Sequence, residues 1–329
     1  MASPLLSLRR WVLATASAAL LPWGGALAQA LPHAEAEAWL ARLNEAASAR
    51  NYRGVMVFTT EGVVSSSRVA HVGAGGEVLE RVEALDGRMH RVYRRGDTVY
   101  TVWPDRRVVV VEQRGAAPGL VSTRRRVEPR ALDHYALQTQ GRAHVAGRPA
   151  QRVLMQPRDE WRFAQRLWAD EASGLLLRAD VLGSDGRVLE SSAFSEVELD
   201  IAADAESLLD GMQPPGFEVV TARREGVELA RQGWRLVAPP PGFELMACMR
   251  RPAPGRPGDA LQAMFSDGLS FVSVFIEPYR ESQHAGALSA ELGAMHTVMQ
   301  RVGEHWITAM GDVPRPTLEQ FVRALQRQP

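Results

Sequence analysis

Hydrophobic positions along this chain change period after the first helix-like stretch, and the change predicts the fold. Between residues 33 and 50, Trp39, Leu40, Leu43, Ala46 and Ala47 recur at the spacing that gives a helix one apolar face, and Asn51 stands where the helix should stop. From Tyr52 onward the period shortens to two, the alternation of strands with one face turned to a core. Residues 54–59, 66–72, 78–85, 89–93, 99–102 and 108–112 carry it. They are separated by Gly62, by the glycine-rich 73–76, and by Gly96-Asp97 and Pro104-Asp105. Punctuation of this kind predicts successive antiparallel strands. Residues 114–135 lack a regular repeat and are expected to form a loop with short helical pieces. Strands resume at 135–144, 148–157, 162–170, 175–182 and 188–199. The reading is one antiparallel sheet from about residue 52 to 199 with a helix packed on it.

Residues 200–233 interrupt this pattern with an acidic stretch and Pro214-Pro215-Gly216-Phe217, a composition suited to an interdomain linker or an extended arm. A smaller set of strands follows at 234–237, 243–250, 261–265 and 269–277, the last two joined by Ser266-Asp267-Gly268. Another hairpin is expected about Gly303-Glu304. Thr317, with Gln320 three residues on, reads as a capping box opening a final helix whose apolar side is Phe321, Val322 and Leu325. The expected organisation is a signal at 1–28, an N-terminal domain at 29–205, a linker at 206–233 and a C-terminal domain at 234–329. The fold class is α+β, mainly antiparallel β.

The first residues change where this fold should work. Arg9 and Arg10 precede the apolar residues 11–21, and Ala26-Leu27-Ala28 has the A-x-A form of an export cleavage site. Pro22 and Gly24-Gly25 cut the apolar run short of the roughly 20 residues a membrane span needs. Export to the periplasm with removal of the signal is expected. The only cysteine, Cys248, lies far from that site, which excludes both acylation there and an internal disulfide. Its apolar surroundings, Leu245 to Met249, fit a buried thiol.

Arginines number 38 with no lysine, and they balance 38 acidic residues to a formal net charge of zero. Such a chain exerts no long-range pull on nucleic acid. The run Arg124-Arg125-Arg126 reads either as a grip for an anionic group or as a solvated loop. Catalytic patterns are missing: there is no Walker-type loop, no G-x-S-x-G and no C-x-x-C. His33 with Glu35, and His296 with His305, are the nearest to metal pairs, and ordinary histidines account for them better. Asp159 with Glu160, and Glu196 with Glu198, have spacings common on any strand or turn. The expectation is a binding protein with no catalytic residues, no metal and no cofactor. Tyr52, Phe58, Trp103 and Trp168 either fill a core or line an apolar ligand cavity.

Three segments together carry a resemblance. The first is Tyr52-Arg53-Gly54-Val55-Met56-Val57-Phe58, followed by the strand from Ser66 to His71, by Glu83-Ala84-Leu85-Asp86-Gly87 and by Arg94-Arg95-Gly96-Asp97. The second is Leu167-Trp168-Ala169-Asp170 leading to Gly174-Leu175-Leu176-Leu177-Arg178-Ala179-Asp180. The third is Pro241-Gly242-Phe243 with Phe265-Ser266-Asp267-Gly268-Leu269-Ser270-Phe271-Val272-Ser273-Val274-Phe275. Their order and spacing resemble the RseB/MucB family across nearly all of the chain after the signal. That resemblance implies an N-terminal half-open β-barrel with a helix across it, similar to the lipoprotein carriers LolA and LppX, and a smaller C-terminal β-rich domain with a terminal helix. It also implies binding to the periplasmic part of an RseA/MucA-type anti-sigma factor, protection of that factor from the site-one protease, and release by a lipid or lipopolysaccharide signal. A homodimer is compatible with it. The partner surface is expected in the C-terminal domain at Phe265, Leu269, Phe271 and Phe275, whose inward-facing members are equally core candidates. The rival reading is a periplasmic lipoprotein or lipid carrier.

Overall fold

A computed structural model describes residues 29–74, 77–113, 126–202, 204–222, 225–252, 259–284 and 286–328. The expected signal, and Arg124 and Arg125 of the arginine run, lie outside the described residues.

After a two-residue strand, β1 (Gln29–Ala30), helix α1 (His33–Ala49) buries Ala36, Leu40, Leu43, Ala46 and Ala47, the face set by the three-and-four spacing. Asn51 fastens its end: the side-chain amide donates to the Ile201 carbonyl and its oxygen accepts from the Gly73 amide. A first meander runs through β2 (Tyr52–Thr60), β3 (Val63–Ala74), β4 (Glu77–Ala84), β5 (Arg91–Arg95), β6 (Thr98–Trp103) and β7 (Val108–Gln113). A 3-10 turn, Pro129–Asp133, leads into a second: β8 (Tyr135–Val145), β9 (Arg148–Pro157), β10 (Ala164–Asp170), β11 (Leu176–Leu182) and β12 (Val188–Leu199).

The end of the second meander pairs antiparallel with the start of the first, β12 beside β2, which makes one 13-stranded sheet in the order β1, β8 to β12, β2 to β7 and a last strand, β13 (Glu218–Thr221). Register shifts between Thr139 and Arg142, Trp168 and Ala169, Val181 and Leu182, and Phe194 and Glu196 mark bulges. Bulges bend strands. One buried cluster accordingly joins Tyr52, Val69 and Val82 of the first meander to Ala150, Trp168, Leu177 and Phe194 of the second, with Ala46 of α1.

The stretch read from sequence as a linker contains ordered elements. Helix α2 (Ala205–Leu209), capped by the Asp204 carboxylate on the Ser207 amide, packs Leu208 on Val72 and Leu79. Strand β13 (Glu218–Thr221) adds parallel to β7, and β14 (Glu225–Gly226) already belongs to the second sheet.

That second sheet comprises β14, β16 (Glu244–Pro252), β17 (Asp259–Ser266), β18 (Phe271–Pro278), β21 (His305–Gly311), β20 (Met295–Val302) and β19 (Leu288–Leu292), in that order. Helix α3 (Arg315–Ala324) covers one face, with Phe321 against Phe243 and Phe265. The chain ends in β22 (Leu325–Arg327), which pairs with β15 (Trp234–Leu236) in a separate ribbon. Here the capping-box expectation fails. Proline at the first turn needs no amide partner and fixes the helical φ, so α3 starts after Pro314. Thr317 lies inside the helix, and its hydroxyl donates to the Trp161 carbonyl of the first domain.

Candidate partner-binding site at the domain junction

The two sheets meet through loops whose local chemistry dictates their shape. In the β17–β18 turn the Asp267 carboxylate accepts from the Leu269 and Ser270 amides through Oδ1 (2.9 and 2.7 Å), the self-bonding that makes aspartate a turn residue. Its other oxygen faces the first domain. Arg162 lies 3.4 Å from it, with both side chains wholly inaccessible, and Tyr135 donates its hydroxyl to it at 3.3 Å. Burial, together with the adjacent Asp267 carboxylate, pushes the Tyr135 phenol well above its ordinary pKa and keeps it a donor. Arg162 also lies 3.1 Å from Asp159 and donates to the Pro241 carbonyl at 2.6 Å, with its guanidinium over the Tyr135 and Phe243 rings. A second arginine works beside it. Arg130, held by Glu128 at 2.7 Å, donates to the Ser266 carbonyl at 3.0 Å and to the Gly242 carbonyl at 3.3 Å.

The same turn carries an apolar plug. Leu269 is buried in the cluster of α1, the 3-10 turn, β8, β9 and β10, among Leu40, Leu132, Leu137, Val153 and Leu167. The Glu128 amide donates to the Gly268 carbonyl at 2.8 Å and closes the contact. Gly242 approaches so closely that a Cβ there would collide with the His134 ring.

A second contact lies where the β19–β20 turn meets the β2–β3 turn. The Gly293 amide donates to Glu61 Oε1 at 3.0 Å, Ala294 is buried with Phe163 and Val181, and the His296 ring stands edge-on to Phe163. Beside it opens a cleft of about 850 Å³ lined by Thr59, Glu61, Gly62, Arg178, Arg187, Val188, Leu189 and Ser191. All of these lining residues belong to the first domain, and Val188 among them is an exposed apolar side chain. Nothing in this arrangement pairs a nucleophile with a base. Among the described residues no group of three or more His, Cys, Asp or Glu is placed to hold a metal.

Comparison with known proteins matches these two units separately. Residues 35–212 match the MucB/RseB N-terminal domain, and residues 228–326 match the MucB/RseB C-terminal domain. The chain belongs to the MucB/RseB family. It is 30% identical over 304 residues, 89% of this chain and 91% of the relative, to the sigma factor AlgU regulatory protein MucB of Pseudomonas aeruginosa. It is 25% identical to the sigma-E factor regulatory protein RseB of Escherichia coli K12, covering 96% of this chain and 94% of that one. Among solved structures, that of the Pseudomonas aeruginosa MucA/MucB complex is similar at 27% identity with a TM-score of 0.72, over 90% of this chain and 99% of that one. A second, MucB in complex with MucA(peri), reaches 0.69 at 28% identity. The MucB/RseB proteins are regulators and not enzymes.

Of the aromatic residues read as either core or cavity lining, Tyr52 and Trp168 share one buried cluster in this MucB/RseB chain. Tyr52 is buried, stacked on His71 with Phe194 at its edge. Trp168 is buried with the Arg178 guanidinium 4.7 Å from its ring centre. Trp103, half-buried, stacks on His90 in a different part of the sheet, and Phe58 is exposed at the end of β2. In the second domain Phe265 is core and Leu269 is the plug. Phe271 is half-buried, with its amide held by Asp312. Phe275 sits on the face away from α3, in the cross-strand row Met249, Gln262, Phe275, Thr308, Met299 and Leu288. Arg130, Arg162 and Glu61 escaped the sequence reading as site residues, and Asp267 entered it only as part of a turn. The one signal for them was an apolar Leu269 directly after an Asp-Gly turn, where a polar residue is the rule.

Proposed function

We propose that this protein is a periplasmic negative regulator of the sigma-E envelope stress response. It binds the periplasmic region of an RseA/MucA-type anti-sigma factor, shields that region from site-one proteolysis and lets it go on a lipid or lipopolysaccharide signal. The observation that carries this reading is the likeness over 90% of the chain to a relative solved together with MucA. Physical reasoning supports it: occlusion of a flexible segment blocks cleavage by mass action and needs no catalytic group, in keeping with the junction described above. Release then requires a ligand that prefers the unbound form. The export signal expected at residues 1–28 supports this reading, since its removal would release the protein into the compartment of that segment.

The test is calorimetry of residues 29–329 with the periplasmic segment of the organism's own anti-sigma factor, with and without lipopolysaccharide, followed by site-one protease digestion of the mixture. Binding that protects the segment and weakens with lipopolysaccharide is expected. Uptake of lipid with no binding of the segment would put the carrier reading in its place.

A further inference from the structure

The tip of the β17–β18 hairpin meets the first domain with two chemical groups at once. Leu269 is buried in a cluster whose other buried members, Leu40, Leu132, Leu137 and Leu167 among them, all come from the first domain. The first domain therefore builds this socket from its own residues, and the second domain only fills it. Tyr135 joins the socket to a polar mouth: its ring belongs to the same apolar cluster, and its hydroxyl donates to Asp267 at 3.3 Å. At that mouth the Asp267 carboxylate lies 3.4 Å from the Arg162 guanidinium, with both side chains inaccessible, and Arg130 donates to the Ser266 carbonyl at 3.0 Å. A carboxylate and an aliphatic group from one tight turn are received together, the first by arginine and tyrosine and the second by an apolar socket. An alkyl chain with a carboxylate or phosphate head carries the same two groups, and a guanidinium binds either head.

We propose that the first domain carries a site for an anionic lipid, with the alkyl chain in the socket of Leu269 and the head at Arg162 and Tyr135, and that the β17–β18 hairpin occupies this site as a tethered competitor. Hairpin and lipid exclude one another, so a lipid that enters must unseat the hairpin. One anion then replaces another beside Arg162, whose second carboxylate, Asp159 at 3.1 Å, stays in place. Such an exchange avoids the cost of leaving a buried guanidinium without its partner. The site stands on the geometry alone. Its part in release rests on the function proposed above, and deepens it by naming the contact that the lipid breaks.

Two variants loosen the hairpin and leave every socket residue of the first domain untouched. Leu269→Ala shortens the group that fills the socket. Gly268→Ala acts on the seating, because Gly268 has a φ of +96° and a Cβ there would crowd the Ala131 amide nitrogen and Glu128 Cβ, each at 3.2 Å. The Glu128 amide, which donates to the Gly268 carbonyl at 2.8 Å, reports whether the hairpin is seated. The test titrates octanoate, and octanamide as its neutral counterpart of the same shape, into the parent and both variants by NMR. Hydrogen exchange of the Glu128 amide is followed alongside.

Octanoate is expected to bind both variants at least about tenfold more tightly than the parent, since apparent affinity falls with the fraction of molecules whose site is filled. It should bind in preference to octanamide, and it should speed exchange of the Glu128 amide in the parent. Arg162→Met should abolish the preference for octanoate over octanamide. No octanoate binding to either variant, equal affinity for parent and variants, equal affinity for the two ligands, or an unchanged Glu128 amide in the octanoate-bound parent would each overturn the proposal. Calorimetry of the parent with the anti-sigma segment separates this from the function proposed above. Octanoate that unseats the hairpin yet leaves the segment's affinity unchanged keeps the site and overturns release by lipid. A segment that does not bind the parent at all overturns the partner reading and leaves the site standing.

Discussion

Asp267→Asn isolates the charge at the clamp from the shape of its turn. An asparagine retains Oδ1 to accept from the Leu269 and Ser270 amides, so the turn persists, while the Arg162 guanidinium loses a carboxylate 3.4 Å away. Two unit charges at that separation attract by about 5 kcal/mol at an effective dielectric of about 20. Desolvation offsets part of this, and removal of one partner from a buried pair costs about 3–5 kcal/mol because the other charge is left behind. Arg162 keeps Asp159 at 3.1 Å, and that carboxylate is partly accessible to water, which argues for the lower end, about 3 kcal/mol. The assay is urea unfolding followed by circular dichroism for Asp267→Asn, Arg162→Met and the double variant. Each single substitution is expected to lower stability by about 3 kcal/mol, and the double by clearly less than their sum, since no charge is then orphaned. A loss below about 1 kcal/mol for Asp267→Asn, or strictly additive losses, would refute the argument that this pair fastens the domains.

Leu269→Ala should cost about 2–4 kcal/mol and, although the residue belongs to the second domain's hairpin, should speed amide exchange along α1 on the first; unchanged exchange there would show that the plug does not support that core. Burial, foremost, lowers the pKa of His296 and of His305 below the ordinary 6.5, so both fold in the neutral form. Their contribution is complete above pH 6.5 and is lost as pH falls through the lowered folded values, because the unfolded chain then binds the extra protons. Melting temperature should therefore drop more between pH 7.5 and 5 in the parent than in His296→Gln, and parallel pH curves for the two would contradict it.

Most of the first sheet was legible because period-two alternation marks strands: residues 54–59, 78–84 and 188–199 lie on β2, β4 and β12, with Leu79, Val82 and Ala84 of β4 and Phe194 of β12 buried. Helix α1 was equally plain, from the stripe Trp39, Leu40, Leu43, Ala46 and Ala47, of which all but Trp39 are buried. Strand order was not. Nothing local says that β12 returns to pair with β2 and so joins two meanders into one sheet, since that pairing links residues 130 or more positions apart. Read as a linker or an extended arm, residues 200–233 gave no strand signal because prolines and acidic residues weaken it, yet Val219 and Val220 pair with β7, an edge already formed by the meander.

The junction was illegible for a different reason. Alternation states that a residue is buried and never against which unit. Phe265 and Leu269 look alike in sequence, both apolar at the ends of a hairpin, yet one packs beneath α3 and the other inside the opposite domain. What distinguishes them is the company of the turn between them: Asp267 spends one carboxylate oxygen on its own backbone and offers the second to an arginine more than 100 residues earlier. A buried charge of that kind is tolerated only where a partner from another element is fixed in place. An Asp-Gly turn followed at once by a large apolar side chain is then better read as the tip of a docking element than as a solvent-facing reversal. In a chain with two sheets, such a turn on one points to the surface of the other.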